Sequence, residues 1–157
     1  MKRTWCILFL LVMAKESYIM ANASMPVPFS TVSAPRLWAV DDRAGYTVVT
    51  GKNWSKYYSS PPKDADFTAS LYVVASMGTQ PNPGYRIRIA QISQEEERVQ
   101  VTVEKLNPDP KAIYPQVIVN PIAVAEVKRK DLQPHAALVF AFVTQGGELL
   151  AEVKTEF

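Results

Sequence analysis

The chain has 157 residues, with 17 basic and 15 acidic side chains, one histidine and one cysteine. That composition excludes an internal disulfide, a cysteine-built zinc site and the paired histidines of the common metalloenzyme motifs. The small net charge of +2 gives no basic face of the kind that attracts nucleic acid.

The N-terminus reads as an export signal. Lys2 and Arg3 precede the apolar run Thr4–Ala14, and Ala21-Asn22-Ala23 has the small-x-small pattern cleaved by signal peptidase. Lys15 and Glu16 end the run well short of the roughly 20 apolar residues a membrane helix needs. Residues 1–23 are therefore expected to be a signal peptide, making the protein exported, periplasmic or extracellular. Cys6 lies inside the signal behind Arg3-Thr4-Trp5, which is no lipoprotein box. The mature chain then has no cysteine. Removing Lys2, Arg3, Lys15 and Glu16 also leaves it neutral, so no membrane attraction is expected after cleavage.

Residues 24–35 carry three prolines and three serines and read as an extended leader. Residues 36–157 are expected to form a single β-rich domain. Arg36–Val40 and Tyr46–Thr50 have strand composition. Trp54, Tyr57 and Tyr58 recur at helical spacing, with Thr50 or Asn53 as cap and Pro61-Pro62 as stop. This predicts one short helix over 50–58, packed on a sheet through Trp54 and Tyr58.

Thr68–Ser76 is apolar on both faces, as a central strand must be. The turn Gly78-Thr79-Gln80-Pro81-Asn82-Pro83-Gly84 leads into a strand where Tyr85, Ile87 and Ile89 face inward and Arg86 and Arg88 stay wet. In this turn the prolines stiffen the crossing and Gly84 is expected to supply a backbone conformation that other residues resist. A charged break, Gln94–Glu97, precedes Arg98–Leu106, predicting an antiparallel hairpin with Arg86 or Arg88 opposite Gln100 or Glu104. After Asn107–Pro110, Tyr114–Lys128 reads as strand, interruption at Pro121, strand. Ala137–Thr144 and Glu148–Lys154 form a last hairpin around Gly146-Gly147. The fold class expected is mainly β: a small antiparallel β-sandwich or barrel of about eight strands with one short helix.

Chemistry is poorly signposted. His135 stands alone beside Pro134, and a Ser–His–Asp set would need it to meet a serine such as Ser76 without any supporting motif. No phosphate loop or calcium-loop pattern occurs, so no catalytic residue, metal site or cofactor is expected. A carboxylate hydrolase drawing on Asp41, Asp42, Asp64, Asp66 and Glu104 is one alternative, because such pairs meet only in space.

The run Leu71–Ile89, LYVVASMGTQPNPGYRIRI, resembles the C-terminal domain of the PrcB-like proteins. The apolar strand, the glycine, the proline-bearing turn and the Gly84-Tyr85 pair carry the likeness, with Pro83 standing where the family usually has glycine. Asn53-Trp54, Asp66-Phe67, Val99–Glu104, Pro115-Gln116 and Asn120-Pro121 are similar to neighbouring features, extending the resemblance over about 53–128. It implies a non-enzymatic accessory domain that associates with and stabilises a protease.

The resulting expectation is a protein-interaction domain whose partner is another envelope or secreted protein, with a protease as the family-level partner. Its binding residues would be Gln80, Pro81, Asn82, Pro83, Gly84 and Tyr85 in the turn. The alternative is a protease inhibitor of immunoglobulin-like fold, since Pro81–Tyr85 is similar to one loop of the chagasin-like inhibitors. The other loops of that group are absent here.

Overall fold

The computed structural model describes residues 24–33, 43–63 and 65–156. The expected signal peptide 1–23 and the expected strand Arg36–Val40 lie outside the described residues. Among the described residues nine strands occur in chain order: β1 (Met25–Pro26), β2 (Ser30–Thr31), β3 (Ala44–Val49), β4 (Ser70–Met77), β5 (Arg86–Glu95), β6 (Arg98–Leu106), β7 (Ile122–Lys128), β8 (Ala137–Thr144) and β9 (Leu149–Glu156). They make two sheets that do not close into a barrel, ordered β1-β5-β6-β8-β9 and β2-β7-β4-β3. The mainly β, sandwich-like class read from the sequence is the one observed.

One pair departs from the expected antiparallel pattern. β6 and β8 are parallel, with Val101 opposite Phe142. Between them the chain descends as β7 in the other sheet, so β8 returns in the direction of β6. A parallel neighbour always requires such a crossover.

β4 organises the packing. Leu71, Val73 and Ala75 point between the sheets, where they meet Ile89, Ile92, Val99, Val101, Val103, Phe140 and Phe142. Tyr72 and Val74 point to the other side, where Trp54, Tyr57, Tyr58 and Phe67 cover them. The aromatic stripe is thus a half-buried cover packed against the core, and the backbone beneath it is only a 3₁₀ turn at Trp54–Lys56. No helix of 50–58 forms because Asn53 bonds backward instead of capping. Its Oδ1 accepts from the Thr50 amide at 2.7 Å and its Nδ2 donates to the Val48 carbonyl at 2.8 Å. Ser and Asn side chains compete with helices in this way. Trp54 stacks on Phe67 at 6.5 Å, and Phe67 meets Tyr72 edge-on at 5.5 Å. Burial pushes the Tyr58 phenol up to about 12, with Tyr57 adding to the shift, so it stays neutral in this layer.

The leader contributes to both sheets. Met25 and Pro26 pair with Gln94 and Ser93 of β5, and Ser30 and Thr31 pair with Glu126 and Ala125 of β7. Val27 between them is buried in the core.

The β5–β6 hairpin has the expected partners, Arg88 opposite Glu104, joined by an ion pair. However, the register shifts between Ile89 and Gln91. That bulge at Ala90 reverses which parity faces inward, a known effect of one extra residue. Ile92 and Gln94 therefore enter the interior, and β5 continues through the predicted charged break to Glu95.

Gln94 is 0 % exposed. Its Nε2 donates to the carbonyls of Glu96 at 2.7 Å and Gln133 at 3.2 Å, and its Oε1 accepts from the Gln133 amide at 2.8 Å. One side chain thereby ties the hairpin turn, where Glu96 has φ 52°, to the loop after β7. Gln94→Leu, of similar size, leaves those backbone groups without partners. Urea denaturation should show a loss of about 1–3 kcal/mol, the usual cost of stranding buried polar groups.

Candidate interaction surface

The turn between β4 and β5 and the long loop between β6 and β7 meet at one end of the sandwich. Gly78 leaves β4 with φ 69°, a conformation that glycine adopts without strain. Its amide donates to Ser76 Oγ at 3.1 Å. Two residues on, Gln80 and Val119 exchange backbone hydrogen bonds of 2.8 and 3.0 Å, and Met77 donates to the Pro121 carbonyl at 3.0 Å. The Gln80 Nε2 closes back on the Met77 carbonyl at 3.0 Å.

Gly84 is required for a different reason from the one expected. Its backbone is not left-handed. A Cβ there would lie 2.7 Å from Pro108 Cβ and 2.9 Å from both Asn82 Oδ1 and Tyr114 Cε1. Close approach, not φ, excludes a side chain. Asn82 Oδ1 accepts from the Gly84 amide at 3.0 Å, and Tyr114 Oη accepts from the Asp109 amide at 3.1 Å. Turn and loop are therefore one packed body.

This body fixes what each sequence-predicted binding residue can present. Pro81 and Pro83 are exposed, Gln80, Asn82 and Tyr85 are half-buried, and Gly84 is buried. The larger apolar surface comes from Ile113 and from Val117 and Ile118, the last two of which the sequence reading placed in a strand. Ile113 is 100 % exposed, Ile118 74 % and Val117 55 %. The expected strand at Tyr114–Asn120 does not form. Pro115 and Pro121 lack ladder donors, Val117 turns back on the Pro115 carbonyl at 2.9 Å, and only Val119 makes a bridge. The cue available in the sequence was the proline density from Pro108 to Pro121 around aliphatic residues with no strand to bury them.

Among the described residues, those considered for chemistry are not brought together. Ser76 pairs with Ile122 at the start of β7, whereas His135 follows the far end of β7. Asp66 Oδ1 accepts from the Thr68 and Ala69 amides at 3.0 and 3.2 Å, while Glu104 is paired with Arg88 on the outer sheet face. Asp41, Asp42 and Asp64 lie outside the described residues. Among the described residues no cluster of three His, Cys, Asp or Glu side chains could hold a metal ion, and no helix is long and apolar enough to cross a membrane.

One contact superficially suggests a Ser–Lys dyad. Lys128 Nζ donates to Ser70 Oγ at 3.1 Å and to Glu126 Oε1 at 2.5 Å, and Ser70 Oγ donates to Glu126 Oε1 at 2.7 Å. The carboxylate decides its character. Hydrogen bonds from Lys128 and then Ser70 hold Glu126 below its ordinary value, and the bond to Glu126 raises Lys128. A lysine kept charged has no lone pair with which to take a serine proton. Ser70 is also fully buried, so the trio joins β4 to β7 as a structural contact.

The segment containing the turn, the loop and the strands that carry them is also where a known family appears. Residues 71–128 match the PrcB C-terminal family. The match begins at the inward-facing Leu71 of β4 and ends with β7, so it takes two strands from each sheet and the whole apolar end. The PrcB C-terminal match starts later than the likeness read from the sequence, leaving Asn53–Ser70 outside it. No curated protein and no solved structure matches the chain.

Two measurements test this geometry. Gly84→Ala should destabilise the domain by about 1–3 kcal/mol through overpacking, read as a lower urea midpoint. For Glu126, a depressed folded-state value means its stabilisation is present above the ordinary value of 4.5 and is lost as pH falls through the lowered one. Thermal melts of wild type and Glu126→Gln should therefore differ at neutral pH and converge in acid. A gap that stays unchanged as the pH is taken progressively below the ordinary carboxylate value would contradict the linkage.

Proposed function

We propose that this chain is an exported, non-enzymatic protein-interaction domain that docks on another envelope or secreted protein through its apolar end. The observation that carries this reading is the exposure of Ile113, Val117 and Ile118 on a loop braced against the Gln80–Tyr85 turn. Aliphatic side chains standing on a rigid support favour contact with a partner surface. The PrcB C-terminal match over the same residues supports a protease, or a complex containing one, as the partner. Export rests on the signal-like segment 1–23.

The test is capture from an envelope extract on the immobilised mature chain, compared with Ile113→Asp/Ile118→Asp. Both positions are exposed, so the variant should melt close to wild type. The wild type should recover a partner, and the variant should recover at least about tenfold less, the scale of a hot-spot loss. Equal recovery by both proteins, or repeated failure of the wild type to retain anything, would overturn the reading.

A further inference from the structure

The opposite end of the sandwich has a depression of about 220 Å³ lined by Arg129, Leu132, Gln133, Pro134, His135 and Leu138. It involves none of the residues of the apolar end. Leu132 and Leu138 are buried core residues and give it an apolar floor. Arg129 and the half-buried His135 add a fixed cation and an imidazole.

Its walls are set in advance. The loop backbone is held at Gln133 by the buried Gln94, through bonds of 2.8 and 3.2 Å. On the other side, the Arg129 amide donates to the Ala69 carbonyl at 2.9 Å and the Leu132 amide to the Arg129 carbonyl at 3.2 Å. A fully buried glutamine spent on loop backbone keeps the concavity open and lowers the ordering cost of binding.

We propose that this depression is a binding site for an apolar group bearing a carboxylate. The leucines accept an aliphatic or aromatic side chain, and a guanidinium is suited to a carboxylate through its paired donors. The volume lies below the roughly 300–1,000 Å³ of sites for drug-sized ligands, which limits the occupant to about one residue's worth of ligand. Two sources share this chemistry: the C-terminal residue of a peptide and a small free carboxylic acid.

His135 is the only histidine, so in an untagged chain its imidazole signals need no assignment. Proton–carbon NMR at fixed pH would follow them during titration with N-acetyl-leucine, N-acetyl-leucine amide and hexanoate. The acid should produce a saturable shift with Kd of about 1 mM, a usual strength for a ligand of about a dozen non-hydrogen atoms. The amide should bind at least about tenfold more weakly, as should the acid to Arg129→Gln, because each lacks one half of the charged pair. Tighter binding of N-acetyl-leucine than hexanoate supports the site with a peptide terminus as its source, and the reverse ranking supports it with a small acid. No saturable shift, or equal shifts from acid and amide, overturns the proposal. The acid–amide comparison uses wild-type protein alone, so it stands even if Arg129→Gln fails to fold.

Discussion

A strand that is apolar on both faces must be covered on both sides, and β4 imposes that requirement on the whole domain. Its inward set, Leu71, Val73 and Ala75, needs the second sheet. Its outward set, Tyr72 and Val74, needs a second layer, supplied by the aromatic connection that carries Trp54, Tyr57, Tyr58 and Phe67. Pairing on both edges, with β3 and β7, satisfies its backbone. The strand is thus fixed from four directions, and the turn that leaves it at Gly78 starts from a rigid position.

That rigidity is what gives the two ends of the sandwich separate characters. At one end, Gly78, the Gln80–Val119 bridge and the Gly84–Pro108–Tyr114 packing join two connections into a support. Aliphatic residues that would be hidden in a regular strand stand in solvent there. At the other end, Gln94 spends both amide donors and its carbonyl oxygen on the backbone of a turn and a loop. The result is a depression with an apolar floor and a charged margin. The PrcB C-terminal match spans the first end and includes Gln94 and the β5–β6 turn at the second, but it stops at Lys128, before the residues that line the depression.

Much of the architecture was legible because local pattern and tertiary demand agreed. The two apolar faces of β4 and the alternation of Val99, Val101 and Val103 have the burial their periodicity implies, and β8 and β9 pair antiparallel around Gly146-Gly147. Where the reading failed, a distant contact overrode a local preference. The helical spacing of Trp54, Tyr57 and Tyr58 placed them on one side correctly, yet Asn53 bonded to β3 and limited the backbone to a 3₁₀ turn. The bulge at Ala90 had no cue in composition, and it turned Gln94 from the start of an expected break between strands into a buried clamp. Within the expected binding turn, the positions of Pro81 and Pro83 on the surface follow from local chemistry. The burial of Gly84 depends on Pro108 and Tyr114, which arrive from another part of the chain.

The sequence by itself determined that the chain folds as β-layers with one doubly covered strand, because side-chain alternation is a local property of each segment. It also determined that the Gly-Tyr turn is the way into a strand. Only the tertiary structure decided that β6 and β8 run parallel, that the aliphatic residues from Ile113 to Ile118 stay exposed, and that Gln94 and His135 belong to the same corner. Each of those outcomes depends on which segments cross between sheets and where a single inserted residue shifts the register, and such long-range pairings leave no periodic trace along the chain.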